Sequence, residues 1–320
     1  MLVIPNVITS TDFIGTIVKR ESQSAAYRRL LGSPSPSPDR RFLINLTDFD
    51  YIMNLKSCHQ LGIKPKFIVL IHSAPVNRDR RDNIRETYAQ YKEDNRVIFF
   101  LGRVSDPSLQ KELEVENILY EDTVQGNFVD AYRNLSYKHI MTLKWATEFC
   151  PETKFIFKVD DDVFVNTPFV RKFTHQFSHF NNFIMCPRLW TSPPIRDEKS
   201  KWYVSEKEFS DEFYPEYCSG WGILLSSDVA TILPRVAETT PFFWIDDVYV
   251  WGMVRIKTDL KLINTDNLFL NYETVQEMLA GKINMTRALG SLFTSQLPND
   301  QTQRIWSTVK NYTDRGYYKL

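Results

Sequence analysis

The chain has 320 residues, of which 43% are hydrophobic and 14% aromatic, enough for one large core or two smaller ones, and this excludes a disordered chain. Lysine plus arginine equals aspartate plus glutamate at 39 each, so the formal charge is zero. This balance excludes a strongly basic protein, and no nucleic-acid partner is expected.

The first twenty residues are apolar only in patches, which Pro5, Asn6 and Asp12 interrupt. They lack the charged start and continuous apolar stretch of a signal peptide, and no run approaches the roughly 18 apolar residues of a membrane span. The stretch SPSPSP at 33–38 predicts a stiff, extended spacer. We therefore expect a stem-like N-terminal segment over residues 1–40 and a folded domain over 41–320.

From residue 66 the sequence alternates between strand and helix patterns. The runs KFIVLIHSA (66–74), RVIFFLG (96–102) and KFIFKV (154–159) predict buried strands, and helices are predicted over 77–91 and 127–150. This order predicts an α/β protein with an open, mostly parallel sheet and helices on both faces. In such sheets, ligands lie beyond the carboxyl ends of the strands.

The third predicted strand brings three consecutive aspartates, Asp160, Asp161 and Asp162, to that edge. Because side chains alternate along a strand, we expect Asp160 and Asp162 to face one way and Asp161 the other. Two carboxylates about 4 Å apart repel by roughly 4 kcal/mol at an effective dielectric of 20, so they need a partner. Mg²⁺ or Mn²⁺ would neutralise them and keep open positions for phosphate oxygens. The alternative is a solvated acidic turn.

A second acidic pair, Asp246 and Asp247, lies within the apolar run PFFWIDDVYVWGMV (241–254). Apolar surroundings raise the pKa of a carboxyl and suit it to general-base catalysis. The alternative is a helix N-cap.

Two glycines, Gly220 and Gly222, flank Trp221 in YPEYCSGWGILLS (214–226). Glycine allows the backbone to approach a ligand closely, but it also simply allows a tight turn. Both interpretations remain open from this segment alone.

The cysteines and sequons indicate an oxidising compartment. No C-x-x-C pair is present, and four cysteines allow one or two disulfides, with three possible full connectivities. The cysteines are Cys58, Cys150, Cys186 and Cys218, and N-x-S/T sequons begin at Asn45, Asn134, Asn284 and Asn311. Together they favour the lumen of the secretory pathway.

Six segments in order, over roughly residues 64–272, resemble the β-1,3-galactosyltransferase type of glycosyltransferase (glycosyltransferase family 31). They are FIVLIHSAPVNRDRRDNIRETY, FFLG, ENILYEDTVQGNFVDAYRNLSYKHIMTLKWATEFCP, FIFKVDDDVFVN, YPEYCSGWG and IDDVYVWG. The resemblance implies a GT-A (Rossmann-like) fold, a UDP-sugar donor and Mn²⁺ or Mg²⁺. It also implies an inverting transfer of galactose or an N-acetylhexosamine, in a β1-3 linkage, to a glycan acceptor on protein or lipid.

The resemblance also implies roles for the acidic residues. Asp162 corresponds to the direct metal ligand of the family's D-x-D-type motif. Asp160 and Asp161 would bind the donor's ribose or sugar, or reach the metal through water. Asp247 corresponds to the catalytic base.

Other matching positions are predicted to bind substrate. Ser73 and Ala74 would form part of the uridine pocket, and Arg81 and Arg85 would lie near the nucleotide or only brace the fold. The segments that match around the base add Gly220, Gly222 and Asp246.

The chain departs from the family pattern at three points. Tyr88 replaces a tryptophan, Asp246 stands where glutamate is commoner, and Trp251 precedes the glycine that follows the D-D-V segment. All five histidines precede Cys186, so the metal is expected to rely on aspartate, diphosphate and water.

The resemblance further implies a type II protein of the Golgi membrane with its catalytic domain in the Golgi lumen, although this sequence shows no anchor. Two other functions are weighed. A metal-dependent phosphohydrolase would use Asp160 as nucleophile and would need a serine or threonine and a lysine beside it. A non-catalytic sugar-binding relative would have lost the base or a metal aspartate, and both are present.

Overall fold

The structure is a computed structural model that describes residues 49–264, 268–294 and 297–320. The segment predicted over residues 1–40, with its spacer, lies outside the described residues. In the part of the chain that is described, no helix combines the length and the apolar character needed to cross a bilayer.

Strands and helices alternate through the first half of the described chain. The strands are β1 (Tyr51–Met53), β2 (Phe67–His72), β3 (Asn95–Arg103), β4 (Thr123–Val129), β5 (Phe155–Asp160), β6 (Phe164–Val165), β7 (Phe183–Cys186), β8 (Arg188–Leu189), β9 (Tyr217–Cys218), β10 (Gly222–Ser226), β11 (Lys261–Asn264), β12 (Phe269–Leu270) and β13 (Phe293–Thr294). The α-helices are α1 (Arg78–Glu86), α2 (Pro107–Tyr120), α3 (Leu135–Phe149), α4 (Thr167–Gln176), α5 (Ser227–Ala237), α6 (Tyr272–Leu279) and α7 (Asn299–Asp314). A π-helical segment covers Asp247–Val254, and 3₁₀ turns cover Tyr88–Gln90, Tyr132–Asn134, Arg255–Lys257 and Met285–Gly290.

Among the described residues, the main sheet has eight strands in the order β1-β4-β3-β2-β5-β10-β7-β11. Strands β4, β3, β2 and β5 are parallel, whereas β10 is antiparallel to both of its neighbours. The six residues of β2 are all buried, because alternate side chains enter cores on opposite faces of the sheet.

Helices cover both faces of this sheet. Helices α3 and α5 pack into one core, and α1, α4 and α7 pack into the other. The predicted α/β sheet with helices on both faces is therefore confirmed.

Between residues 66 and 159, where strands and helices were predicted, the strand β4 and the helix α2 were not predicted. The helix expected over 127–150 begins only at Leu135, because Thr123–Val129 forms β4 and pairs with both β1 and β3. Helix α2 leaves several apolar side chains exposed, Val115, Ile118 and Leu119 among them, so its sequence lacks a clear apolar stripe.

Two disulfides settle the connectivity that the sequence left open. Cys58 pairs with Cys150, and Cys186 pairs with Cys218. The second closes a sequence separation of 32 residues, for which the chain-entropy estimate is about 4 kcal/mol of stabilisation. It fastens the segment 187–217 between the ends of β7 and β9.

Candidate active site

The carboxyl ends of β2 and β5 lie side by side, with His72 opposite Asp160 in the parallel register. The chain turns directly after Asp160, where the Val163 amide donates to the Asp160 carbonyl oxygen at 3.2 Å. Because a turn follows the strand, strand alternation does not decide where the next two aspartates point.

The partners of the three aspartates show this directly. The Arg80 guanidinium contacts Asp161 at 3.0 Å and Asp162 at 3.2 Å, whereas Asp160 is paired with the Lys158 ammonium at 2.8 Å. Asp161 and Asp162 thus share one cation, and Asp160 pairs with another.

Asp161 is the buried member of the three, with 8% of its surface exposed. Its Oδ2 accepts hydrogen bonds from the Ser73 hydroxyl at 2.7 Å, the Asn77 side chain at 2.9 Å and the Ala74 amide at 3.4 Å. Since Oδ1 is held by Arg80, Asp161 fixes the loop after β2. Ser73 and Ala74 thus lie against Asp161, and their place in a nucleotide pocket stays a prediction.

Arg81 and Arg85 are both engaged by protein carboxylates. Arg81 is fully buried and donates to both oxygens of Glu116 at 2.7 Å and to the Ala74 carbonyl at 2.8 Å. Arg85 donates to the same Glu116 at 2.7 Å. These contacts favour the bracing alternative for both residues. The arginine that reaches the acidic residues, Arg80, was not predicted, because nothing in the run of arginines distinguishes it from its neighbour.

We expect Arg81→Leu to lower the free energy of unfolding by about 3–5 kcal/mol, because it leaves the buried Glu116 with one cation fewer. The matched control is Arg78→Leu in the same helix, whose side chain is 44% exposed and pairs with Asp82 at 3.4 Å; its loss should cost less than about 1 kcal/mol. Urea denaturation of both variants measures the difference. Equal costs would contradict the bracing role.

Asp247 stands at the start of the π-helical segment, and its Oδ2 accepts a hydrogen bond from the Gly220 amide at 3.0 Å. A Cβ on Gly220 would lie 1.7 Å from Asp247 Oδ1, so any other residue there would displace the carboxylate. A Cβ on Gly222 would instead meet the rings of Phe269 and Phe293 at 3.6 Å, an ordinary contact. Gly220 therefore belongs to the acidic site, whereas Gly222 is a strand residue of the core.

Asp246 Oδ2 accepts a hydrogen bond from His139 Nδ1 at 2.8 Å. The Asp246 side chain makes no helix-capping hydrogen bond. Burial lowers the pKa of His139 to about 4 although Asp246 opposes this, so the imidazole is neutral at pH 7 and donates through Nδ1. Burial favours the neutral form of Asp246, but His139 and Lys158 lower its pKa overall. Burial and the negative charge of the neighbouring Asp246 raise the pKa of Asp247 well above the ordinary value of an aspartate.

Lys158 joins the two acidic sites. It is buried in β5 and donates to Asp160 Oδ1 at 2.8 Å and to the Gly220 carbonyl at 2.6 Å. Burial lowers its pKa, but nearby carboxylates, that of Asp160 foremost, raise it overall, so it stays protonated. Partial burial raises the pKa of Asp160 to about 6, against the effect of Lys158. Lys158 was not predicted, because a lone lysine in an apolar strand carries no sign of its partner.

Two groups of residues could hold a metal ion. The side chains of Asp160 and Asp162 are 41% and 28% exposed, and each uses one carboxylate oxygen in its ion pair. The remaining oxygens suit a hard cation that also binds water and phosphate. Among the described residues, ligand atoms of His72, His139 and Asp246 also lie within 4.8 Å of one another. The metal was expected to rely on aspartate, diphosphate and water, but β2 and α3 bring two histidines beside Asp246.

The fold and the site together define an α/β protein with two connected carboxylate groups at the edge of its sheet. One group is partly open, and the other contains the buried Asp246 and the half-buried Asp247. A family model described as Galactosyltransferase matches residues 79–267, more than half of the chain. The chain belongs to this galactosyltransferase family. The resemblance is thereby confirmed, and the sheet described above is that of the expected GT-A (Rossmann-like) α/β fold.

The chain is similar to several glycosyltransferases. It is 31% identical over 212 residues to beta-1,3-galactosyltransferase 1 of Mus musculus, and the aligned residues cover 65% of each chain. It is 31% identical over 230 residues to lactosylceramide 1,3-N-acetyl-beta-D-glucosaminyltransferase of Xenopus tropicalis, covering 68% of this chain and 58% of that protein. The chain thus spans slightly less than two thirds of the length of these relatives.

A solved glycosyltransferase involved in the glycosylation of the major capsid of PBCV-1 aligns with 74% of this chain and 98% of its own. Its TM-score is 0.40 and its identity 11%.

Proposed function

We propose that the protein is a metal-dependent, inverting hexosyltransferase. It moves galactose or an N-acetylhexosamine from a UDP-sugar to a glycan acceptor on protein or lipid, in a β1-3 linkage. The observation that carries this proposal is the difference between the two acidic groups. Asp160 and Asp162 are open enough to bind a cation, whereas Asp247, half-buried beside the buried Asp246, has the raised pKa of a general base. The two relatives named above, a galactosyl- and an N-acetylglucosaminyltransferase, support the range of donors.

The residues divide the chemistry between them. Inversion is a single in-line displacement, in which Asp247 takes the proton of the attacking acceptor hydroxyl. Mn²⁺ or Mg²⁺ held by Asp162 and Asp160 would supply charge that stabilises the leaving diphosphate. Gly220 and Lys158 hold Asp247 and Asp160 in place through the hydrogen bonds described above. Each role rests on a different carboxylate, so each can be tested separately.

We also propose that the protein works in the Golgi lumen, associated with the Golgi membrane as a type II protein. Its two disulfides, Cys58–Cys150 and Cys186–Cys218, support an oxidising compartment. The family resemblance supports the particular organelle.

One observation favours the phosphohydrolase alternative, because Lys158 supplies a lysine at Asp160. This chemistry also needs a serine or threonine hydroxyl beside Asp160, but the Ser73 hydroxyl donates to Asp161 instead. Turnover of p-nitrophenyl phosphate that is lost in Asp160→Asn would favour hydrolysis, and its absence would leave transfer as the function.

The experiment that tests the proposal is calorimetric titration with UDP-galactose and UDP-N-acetylglucosamine, each with Mn²⁺ and with a chelator. We expect one donor to bind only with Mn²⁺. In Asp162→Ala we expect its affinity to fall by at least about tenfold, about 1.4 kcal/mol, with loss of turnover. The control is Asp259→Ala, an exposed aspartate outside both acidic groups. Metal-independent binding, or unchanged binding in Asp162→Ala, would contradict the assigned metal site.

A further inference from the structure

We propose that Tyr132 and Trp202 form an aromatic platform on which the acceptor sugar stacks beside Asp247. This inference rests on the proposed function. Tyr132 comes from the 3₁₀ turn between β4 and α3, and Trp202 comes from the segment 187–217. Their side chains are 45% and 44% exposed, although most aromatic residues of this chain lie in its cores.

The two rings face a common space. The Lys201 ammonium lies 4.1 Å from the ring centre of Trp202 and 5.8 Å from that of Tyr132. One point thus lies over both rings, and the group that occupies it is an exposed lysine. A cation on exposed aromatic rings is attracted only weakly, so a ligand can displace it.

The platform is held rigidly. The centre of the Tyr132 ring lies 5.9 Å from that of the buried Trp244 ring. The segment that carries Trp202 is braced by Arg196, which donates to the carbonyls of Val204 and Phe209 at 2.8 Å each. Rings that are already fixed lose little freedom when a ligand binds.

The platform also packs against the segment that carries the base. Trp244, which Tyr132 contacts, precedes Asp247 by three residues, and three residues of chain span at most about 11 Å. Burial raises the pKa of Tyr132 to about 12, and the charges of Asp246, Asp247 and Asp160 add to this effect. Through Trp244, Tyr132 is thus connected to the segment that carries Asp246 and Asp247.

The chemistry of such a surface selects a sugar. A pyranose ring has a face of C–H groups that packs on a flat aromatic ring, while its hydroxyls project from the rim. The UDP-sugar is assigned to the edge near Asp160 and Asp162. A ring stacked on Tyr132 and Trp202, next to Asp247, would belong to the acceptor whose hydroxyl Asp247 deprotonates.

The test compares Tyr132→Ala and Trp202→Ala with the wild type. Transfer to methyl β-D-galactopyranoside and methyl N-acetyl-β-D-glucosaminide gives the acceptor KM, and calorimetry gives the Mn²⁺-dependent donor affinity. We expect each variant to raise the acceptor KM by about three- to tenfold, the effect of a lost aromatic contact, with the donor affinity unchanged. Tyr132→Phe, which keeps the ring, should restore most of the acceptor affinity.

The matched control is Tyr272→Ala, which removes a tyrosine of similar exposure, 46%, from α6. Thermal unfolding of each variant verifies that it is folded. An acceptor KM that stays unchanged in both alanine variants, with donor binding intact, would overturn the platform and leave the proposed function standing. Absence of donor binding in the wild type would instead overturn the proposed function, and the platform with it.

Discussion

Replacing Gly220 by alanine is expected to lower kcat by at least about 100-fold while the protein remains folded. The new Cβ would lie 1.7 Å from Asp247 Oδ1 and 2.3 Å from its Cγ, so the carboxylate must move. A displacement of about 1 Å at a reacting group costs about 100-fold in rate. Steady-state kinetics with saturating donor and acceptor measures the loss.

The matched control is Gly222→Ala, two residues further along the chain. Its Cβ would meet only ring atoms at 3.6 Å, so we expect kcat within a few fold of the wild type. If Gly220→Ala kept the wild-type kcat, Asp247 would not act from the position that Gly220 defines.

Asp247→Asn is expected to lower kcat by about 10²–10⁴-fold, the usual contribution of general acid–base catalysis. Asparagine keeps the size of the side chain but does not accept the proton of the acceptor hydroxyl. Because Asp247 contacts Gly220 and not the metal-binding aspartates, donor affinity should be preserved. Transfer kinetics and calorimetry on the same preparation separate the two effects. Turnover equal to the wild type would show that the base is elsewhere.

The raised pKa of Asp247 predicts how the transfer rate depends on pH. A base acts when it is deprotonated, so the wild-type rate should fall as the pH drops through that raised pKa. The fall should therefore begin at a higher pH than for an ordinary exposed aspartate. The residual activity of Asp247→Asn should lack this dependence. If the wild-type rate stays constant as the pH is lowered to the ordinary pKa of an aspartate, Asp247 is not the base.

Trp251, a departure from the family pattern, has a structural role. Its ring is fully buried and packs edge-on against His139 with 5.0 Å between ring centres. His139 in turn holds Asp246. The residue therefore supports the imidazole behind the acidic pair, and the acceptor-facing aromatic surface proposed above comes from other segments.

Local sequence patterns predicted the centre of the fold. Strands β2, β3 and β5 are continuous apolar runs, because a parallel strand buried on both faces has no polar side. The same reasoning located Asp160 at a strand end, where an acidic cluster after an apolar run is unusual. Strand β4 was missed since Gly126 and Asn127 interrupt its apolar pattern and its pairing with β1 and β3 is set by distant residues.

Contacts between distant segments could not be predicted from the sequence. Lys158 bonds the Gly220 carbonyl, 62 positions away in sequence, and His139 bonds Asp246, 107 positions away. Both links depend on sheet order and helix packing, which no local pattern encodes. Arg80 likewise reaches Asp161 only because α1 begins beside the end of β5.

The most direct test of the central claim is proton NMR of the product that the purified protein makes from a UDP-sugar, Mn²⁺ and a sugar methyl glycoside acceptor. Both UDP-galactose and UDP-N-acetylglucosamine are used as donors. We expect one donor to yield a new β-configured sugar on the acceptor's 3-hydroxyl, with no product when a chelator replaces Mn²⁺. An α-configured product, a different linkage, or transfer that persists with the chelator would contradict a metal-dependent inverting β1-3 transfer.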